Sequence, residues 1–146
     1  MKNFFKSCTI LLKSFLFVLF YLPTFTYSQN KYFNELTIGK GGGFTNLISG
    51  YVIDSLGNVF QCHGRIDCQK DSLIKTIDKK NMKKLQKYIT RNSLTKISVF
   101  EPGNIYNFIQ IVLADKTFKI VWNPYNKTTI NKKLNQIFSK IESFVK

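Results

Sequence analysis

The chain has 146 residues and a formal net charge of +14, from 22 lysine and arginine residues against 8 acidic ones. This length allows one ordinary domain with a real core, so the fold does not have to rely on metal or on many disulfides. The charge favours anionic partners such as nucleic acid, acidic glycans, anionic envelope surfaces or acidic proteins, and it is equally consistent with a role in solubility alone.

The first 28 residues have the pattern of a secretory signal peptide. Lys2 and Lys6 precede an apolar stretch, residues 15–22, which is shorter than the ~20 residues that cross a bilayer. We therefore predict a signal peptide over residues 1–28, cleavage before Gln29, and a secreted or periplasmic protein. An uncleaved N-terminal anchor is the alternative.

Residues 29–146 are predicted to form a single α+β domain. Removal of Lys2, Lys6 and Lys13 with the leader lowers the formal charge from +14 to +11. Cys8 precedes the apolar stretch instead of ending it, so no lipid anchor is expected there. No transmembrane segment is expected after the leader.

The elements of this domain are predicted in the order β-β-β-α-β-β-α. Alternating apolar residues and turn residues between the runs place strands at residues 35–40, 47–53, 59–62, 105–113 and 117–122. Residues 65–76 show no clear period and are predicted to be a loop.

Two amphipathic helices complete the prediction. Asp78 is the expected N-cap of the first, with Ile77 and Met82 at the positions of a hydrophobic staple. An apolar stripe over residues 130–145 marks the second, and it is expected to pack on the sheet of its own chain. The predicted fold is an antiparallel sheet of about five strands with both helices on one face.

The run Gly41, Gly42, Gly43 and Phe44 is the candidate partner-binding loop. A dinucleotide fingerprint requires glycine where Phe44 stands, and the Gly-Lys-Ser/Thr of a P-loop is absent. Two interpretations remain open. The glycines form a turn or bulge with Phe44 in the core, or they form a loop whose bare backbone lets a partner approach closely.

Cys62 and Cys68 are the cysteines of the predicted domain. An exported protein favours a disulfide between them, and free thiols or a zinc site that includes His63 and Asp67 are the alternatives. Structural zinc sites show paired short spacings that this chain lacks, so no metal is expected. Neighbours on a strand point to opposite faces, which argues against a catalytic pair of cysteine and histidine.

No catalytic residue and no cofactor are predicted. The acidic residues are scattered along the chain, and several are expected to cap helices or turns. Nucleic acid is not an expected partner, because Arg65 and Arg91 are the only arginines and arginine supplies most bidentate recognition of bases and phosphates.

The Gly-Gly-Gly-Phe-Thr run at residues 41–45, with the strands on either side, resembles a pattern in small exported proteins of Bacteroidetes. Gly42, Gly43 and Phe44 alone are also similar to the turn of emfourin-type metalloprotease inhibitors, which follow the Phe with a small residue and a glycine where this chain has Thr45 and Asn46. This second resemblance implies that the loop over residues 41–44 contacts a protease.

The sequence thus predicts a secreted, non-catalytic binding module, with inhibition of a secreted protease as its specific form. The alternatives are an envelope or matrix protein that binds anionic polymers electrostatically, and an enzyme of a type that the motifs do not reveal.

Overall fold

The computed structural model describes residues 33–146. These residues all fall within one structural unit, Lys31–Lys146. The predicted signal peptide over residues 1–28 and its cleavage before Gln29 lie outside the described residues.

Seven strands form one mixed sheet beside two helices, which is an α+β fold. The strands are β1 (Glu35–Gly42), β2 (Ile48–Asp54), β3 (Asn58–Gly64), β4 (Gln69–Thr76), β5 (Phe100–Glu101), β6 (Ile105–Leu113) and β7 (Lys116–Trp122). The helices are α1 (Lys79–Arg91) and α2 (Thr129–Val145), and a short 3-10 turn spans Leu94–Lys96. The strand order is β4-β3-β2-β1-β6-β7-β5, and every neighbouring pair is antiparallel except β5 with β7.

The predicted count of about five strands was wrong, as were the loop over residues 65–76 and the wholly antiparallel sheet. Residues 69–76, most of the predicted loop, form the edge strand β4, whose side chains are exposed along almost its whole length. Its pairing with β3 also contains two register shifts. An edge strand whose two faces are both exposed to solvent and whose pairing is interrupted by bulges shows no apolar alternation in its sequence. The parallel strand β5 has only two residues.

Both helices pack on one face of the sheet, and the main core lies between the helices and that face. Strand pairing aligns Leu36 with Ile53 and Ile111, so these side chains share that face. They form one buried cluster with α1 through Leu85 and with α2 through Ile137. The predicted amphipathic faces of the helices are therefore the faces that the structure buries.

The helix starts follow from local hydrogen bonding. Asp78 caps α1, since its carboxylate accepts from the backbone N–H of Asn81 at 2.9 Å. This bond lowers the pKa of Asp78, and burial opposes it only in part. Ile77 and Met82, the predicted staple, are both 6% exposed. The predicted N-cap is confirmed.

The opposite face of the sheet carries a second, smaller cluster. Ile48, Phe108 and Val121 are buried there, and Cys68 packs against them. Cys68 belongs to the turn between β3 and β4, so among the described residues it is this turn that folds over the cluster.

Candidate partner-binding surface

The glycine-rich segment forms the tip of the β1–β2 hairpin. Gly42 and Gly43 have φ angles of 98° and 74°, a left-handed backbone that glycine adopts without steric penalty. The backbone N–H of Asn46, itself at a φ of 48°, donates to the carbonyl of Gly43 at 3.1 Å and closes the turn. The tip therefore has a defined backbone conformation.

A neighbouring turn fixes the position of this tip. The backbone N–H of Gly43 donates to the carbonyl oxygen of Asn104 at 2.6 Å, across to the turn between β5 and β6. A Cβ atom on Gly42 would fall against that same carbonyl oxygen. The absence of a side chain at Gly42 is thus what permits the two turns to meet.

Phe44 projects from the tip into solvent. Its relative exposure is 108%, compared with 3% for the buried Phe33. The interpretation that places Phe44 in the core is therefore wrong: the glycines form a turn, and the aromatic ring stands outside it.

Further exposed apolar side chains lie at the same end of the sheet. Pairing places Gly42 opposite Ile105 and Ile48 opposite Gly64, so the turns that follow β1 and β3 and precede β6 share one end. We call this surface the loop end, and its residues are Phe44, Leu47, Ile66, Ile105 and Tyr125, which are 43–108% exposed. Soluble proteins scatter single apolar residues over their surfaces, whereas a group at one end is typical of an interaction surface.

The disulfide fixes the part of the loop end that carries Ile66. The sulfur atoms of Cys62 and Cys68 are 2.10 Å apart, and their Cα atoms are 5.1 Å apart. Ile66 lies within the short loop that this bond closes, beside the buried Cys62 of β3. The predicted disulfide is confirmed, and disulfides of this kind are typical of proteins outside the cytosol.

Two asparagines of α2 hold the segment that carries Tyr125. The side-chain amide of Asn131 donates to the carbonyl of Asn123 at 3.1 Å, and that of Asn135 donates to the carbonyl of Pro124 at 2.9 Å. Asn135 also accepts from the indole N–H of Trp122 at 2.8 Å. Side-chain hydrogen bonds from the rigid helix therefore position Tyr125.

The residues considered for catalysis or metal binding are spread apart by the fold. His63 is 53% exposed, with its Nδ1 3.9 Å from a carboxylate oxygen of Asp71, while the neighbouring Cys62 is buried on the other face and bonded to Cys68. Within residues 33–146, no group of three or more histidine, cysteine and acidic side chains could hold a metal ion. In the same part of the chain, no helix has the length and apolar character needed to span a membrane.

Comparison with protein families and with curated proteins finds no match to this chain.

The structure brings the predicted loop residues Gly41 to Phe44 together with residues that the sequence did not single out. The predicted elements place Leu47 and Ile105 in strands and Ile66 in a loop. An isoleucine between two cysteines predicted to be bridged was nevertheless a usable signal. Gly41 itself lies within β1, where a Cβ would meet the ring of Tyr106. Gly41 therefore leaves room for the Tyr106 ring beside β1, and it is not part of the turn at the hairpin tip.

Proposed function

We propose that the protein is a non-catalytic binding module that inserts Phe44 and the neighbouring apolar side chains of the loop end into a cleft of a partner protein. One observation carries the proposal: a phenylalanine stands fully exposed on a turn whose backbone is hydrogen-bonded in place. Aromatic side chains dominate the energetics of interface centres, and burial of one contributes roughly 1.5–3 kcal/mol.

The rigidity of the loop end supports the same function. Hydrogen bonding to Asn104 holds the hairpin tip, and the Cys62–Cys68 bond holds the adjacent turn. Surfaces that are ordered before binding lose less conformational entropy when the complex forms. Secreted proteases are the partner class that we test first, because their clefts accept extended loops and because the resemblance to emfourin-type inhibitors concerns these same residues.

The test is inhibition of a panel of secreted metalloproteases and serine proteases by the purified protein at low and at high salt. We expect dose-dependent inhibition that survives high salt, because apolar contacts are not screened. Phe44→Ala should weaken inhibition by roughly tenfold to a hundredfold, the equivalent of burying one phenylalanine.

Leu56→Ala is the matched control. Leu56 is 78% exposed, but it lies in the β2–β3 turn at the opposite end of the sheet. Its truncation should leave inhibition unchanged. Absence of inhibition by the unmodified protein across the panel would rule out these proteases as partners, and equal effects of the two substitutions would rule out the loop end as the contact surface.

A further inference from the structure

A groove between α1 and α2 lies on the helical side of the molecule and is separate from the loop end. Its volume is about 550 Å³, which is within the range of pockets that hold small ligands or segments of polymers. Its charged lining consists of Lys75, Lys84, Lys140 and the helix cap Asp78.

Among the described residues, none of the three lysines has a carboxylate within salt-bridge distance. Asp78 is the single acidic residue of the groove lining, and it interacts with Lys84 only at longer range. The Asp78 carboxylate is directed to the start of α1, where it accepts from the backbone and side-chain amides of Asn81 at 2.9 and 2.6 Å. The groove therefore keeps a positive charge that an anionic ligand can neutralise.

The helix that borders the groove carries an unusual arrangement of charge. Its residues Lys79, Lys80, Lys83, Lys84, Lys87 and Arg91 are basic, and none of its residues is acidic. Like charges four residues apart, such as Lys80 and Lys84, destabilise a helix, and cations in its first turn oppose its dipole. The buried residues of α1 are Met82, Leu85 and Ile89, so its lysines are not held in place by the core. An anionic ligand would relieve the repulsion between them.

The uncharged lining indicates which anion fits. Tyr88 and Phe144 are half-buried aromatic residues, and Asn81, Thr76 and Ser143 add hydroxyl and amide groups. Tyrosine hydroxyls are protonated at neutral pH and can donate, and burial raises the pKa of Tyr88 further. The ammonium group of Lys140 lies 5.5 Å from the centre of the Phe144 ring. Hydroxyl groups and ring faces beside cations match a sugar polymer that carries carboxylate or sulfate groups.

We propose that the groove between α1 and α2 binds a segment of an acidic polysaccharide, with Lys75, Lys84 and Lys140 pairing with its anionic groups. The Tyr88 hydroxyl can donate to the polymer. The hydroxyls of Thr76 and Ser143 already donate to Asn58 Oδ1 and to the carbonyl of Lys140, so their oxygens can only accept from its hydroxyl groups. The basic face of α1 extends the contact along the polymer beyond the groove. This site is independent of the loop end and of the function proposed for it.

The experiment measures binding of the purified protein to alginate and to heparin, which carry carboxylate and sulfate groups respectively. The groove variant is K75Q/K84Q/K140Q, and the control K116Q/K119Q/K127Q removes the same charge from exposed lysines that do not line the groove. We expect the groove variant to lose at least about tenfold in affinity at low salt, and the control less than about threefold. Unchanged melting temperatures would show that both variants fold.

Equal losses in the two variants would overturn the proposal, since they would indicate diffuse attraction with no defined site. Poly-L-glutamate, duplex DNA and phosphatidylglycerol vesicles serve as competing anions at matched charge. Stronger binding of any of these through the groove lysines would also overturn it, in favour of an acidic protein, nucleic acid or membrane. A difference between alginate and heparin identifies which anionic group the groove prefers.

Discussion

The loop end and the α1–α2 groove present opposite kinds of surface. At the loop end, apolar side chains such as Phe44 are positioned by backbone hydrogen bonds and a disulfide. In the groove, the principal groups are the ammonium ends of lysines on long, rotatable side chains. The first surface suits shape recognition that tolerates salt, and the second suits electrostatic attraction that salt screens. The two surfaces are therefore expected to respond differently to salt and to different substitutions.

The largest expected effect comes from removing the disulfide. The double substitution C62A/C68A should lower the free energy of unfolding by about 2 kcal/mol, because the bond closes a short loop in the unfolded chain. It should also weaken binding at the loop end, since the turn that carries Ile66 loses its fixed position, and leave polysaccharide binding in the groove intact. Denaturant unfolding and the two binding assays measure these effects. Loss of both activities in folded protein would show that the two surfaces are not independent.

Two glycine substitutions test whether the contact with Asn104 holds the hairpin tip in place. Gly42→Ala should destabilise the protein by roughly 1–2 kcal/mol and displace the tip, because its φ is positive and the new Cβ would meet the carbonyl of Asn104. Gly43→Ala should be milder, at about 1 kcal/mol, because its φ is also positive but nothing lies within 4 Å of the added Cβ. Thermal melts and inhibition assays on both variants check the order, and a larger effect at Gly43 would contradict the anchoring role given to Asn104.

The smallest expected effect has the opposite sign. Lys83→Glu replaces like-charge pairs with Lys79 and Lys87 by opposite-charge pairs four residues apart, and it should stabilise the protein by about 0.5–1 kcal/mol at low salt. The same change should weaken polysaccharide binding while sparing the loop end. Urea unfolding at low and high ionic strength gives the first value. A variant that is less stable than the parent would contradict the charge argument for α1.

Sequence reasoning located those elements whose side chains are buried on at least one face. The stripe on α2 and the cap at Asp78 follow from local spacing, and the structure confirms them. In β7 the structure buries Ile120 and Trp122 in the main core as predicted, and it also buries Val121 on the other face. Strand β4 was not predicted because its side chains are exposed and its pairing with β3 is irregular. Its sequence therefore has no alternation of apolar and polar residues. Strand β5 was not predicted because two residues are too few to show an alternating pattern.

The candidate surfaces were predicted less completely than the fold. The positive φ angles of Gly42 and Gly43 follow from residue type, whereas the exposure of Phe44 depends on the direction in which the tip leaves the sheet. Likewise, Lys75 of β4 and Lys140 of α2 are far apart in sequence and line one groove only in the folded chain. Such juxtapositions are set by tertiary packing, which single-sequence periodicity does not contain.

The position of β1 in the sheet has a consequence for the order of folding. This first described strand lies in the middle of the sheet, and its partner on one side is β6, with Leu36 opposite Ile111. The meander β1 to β4 can form early in folding, but one long edge of β1 stays unpaired until β6 joins the sheet. Pairings between such distant residues slow folding, and an open edge invites pairing with other chains. The unpaired edge of β1 is therefore open to pairing with other chains until β6 covers it.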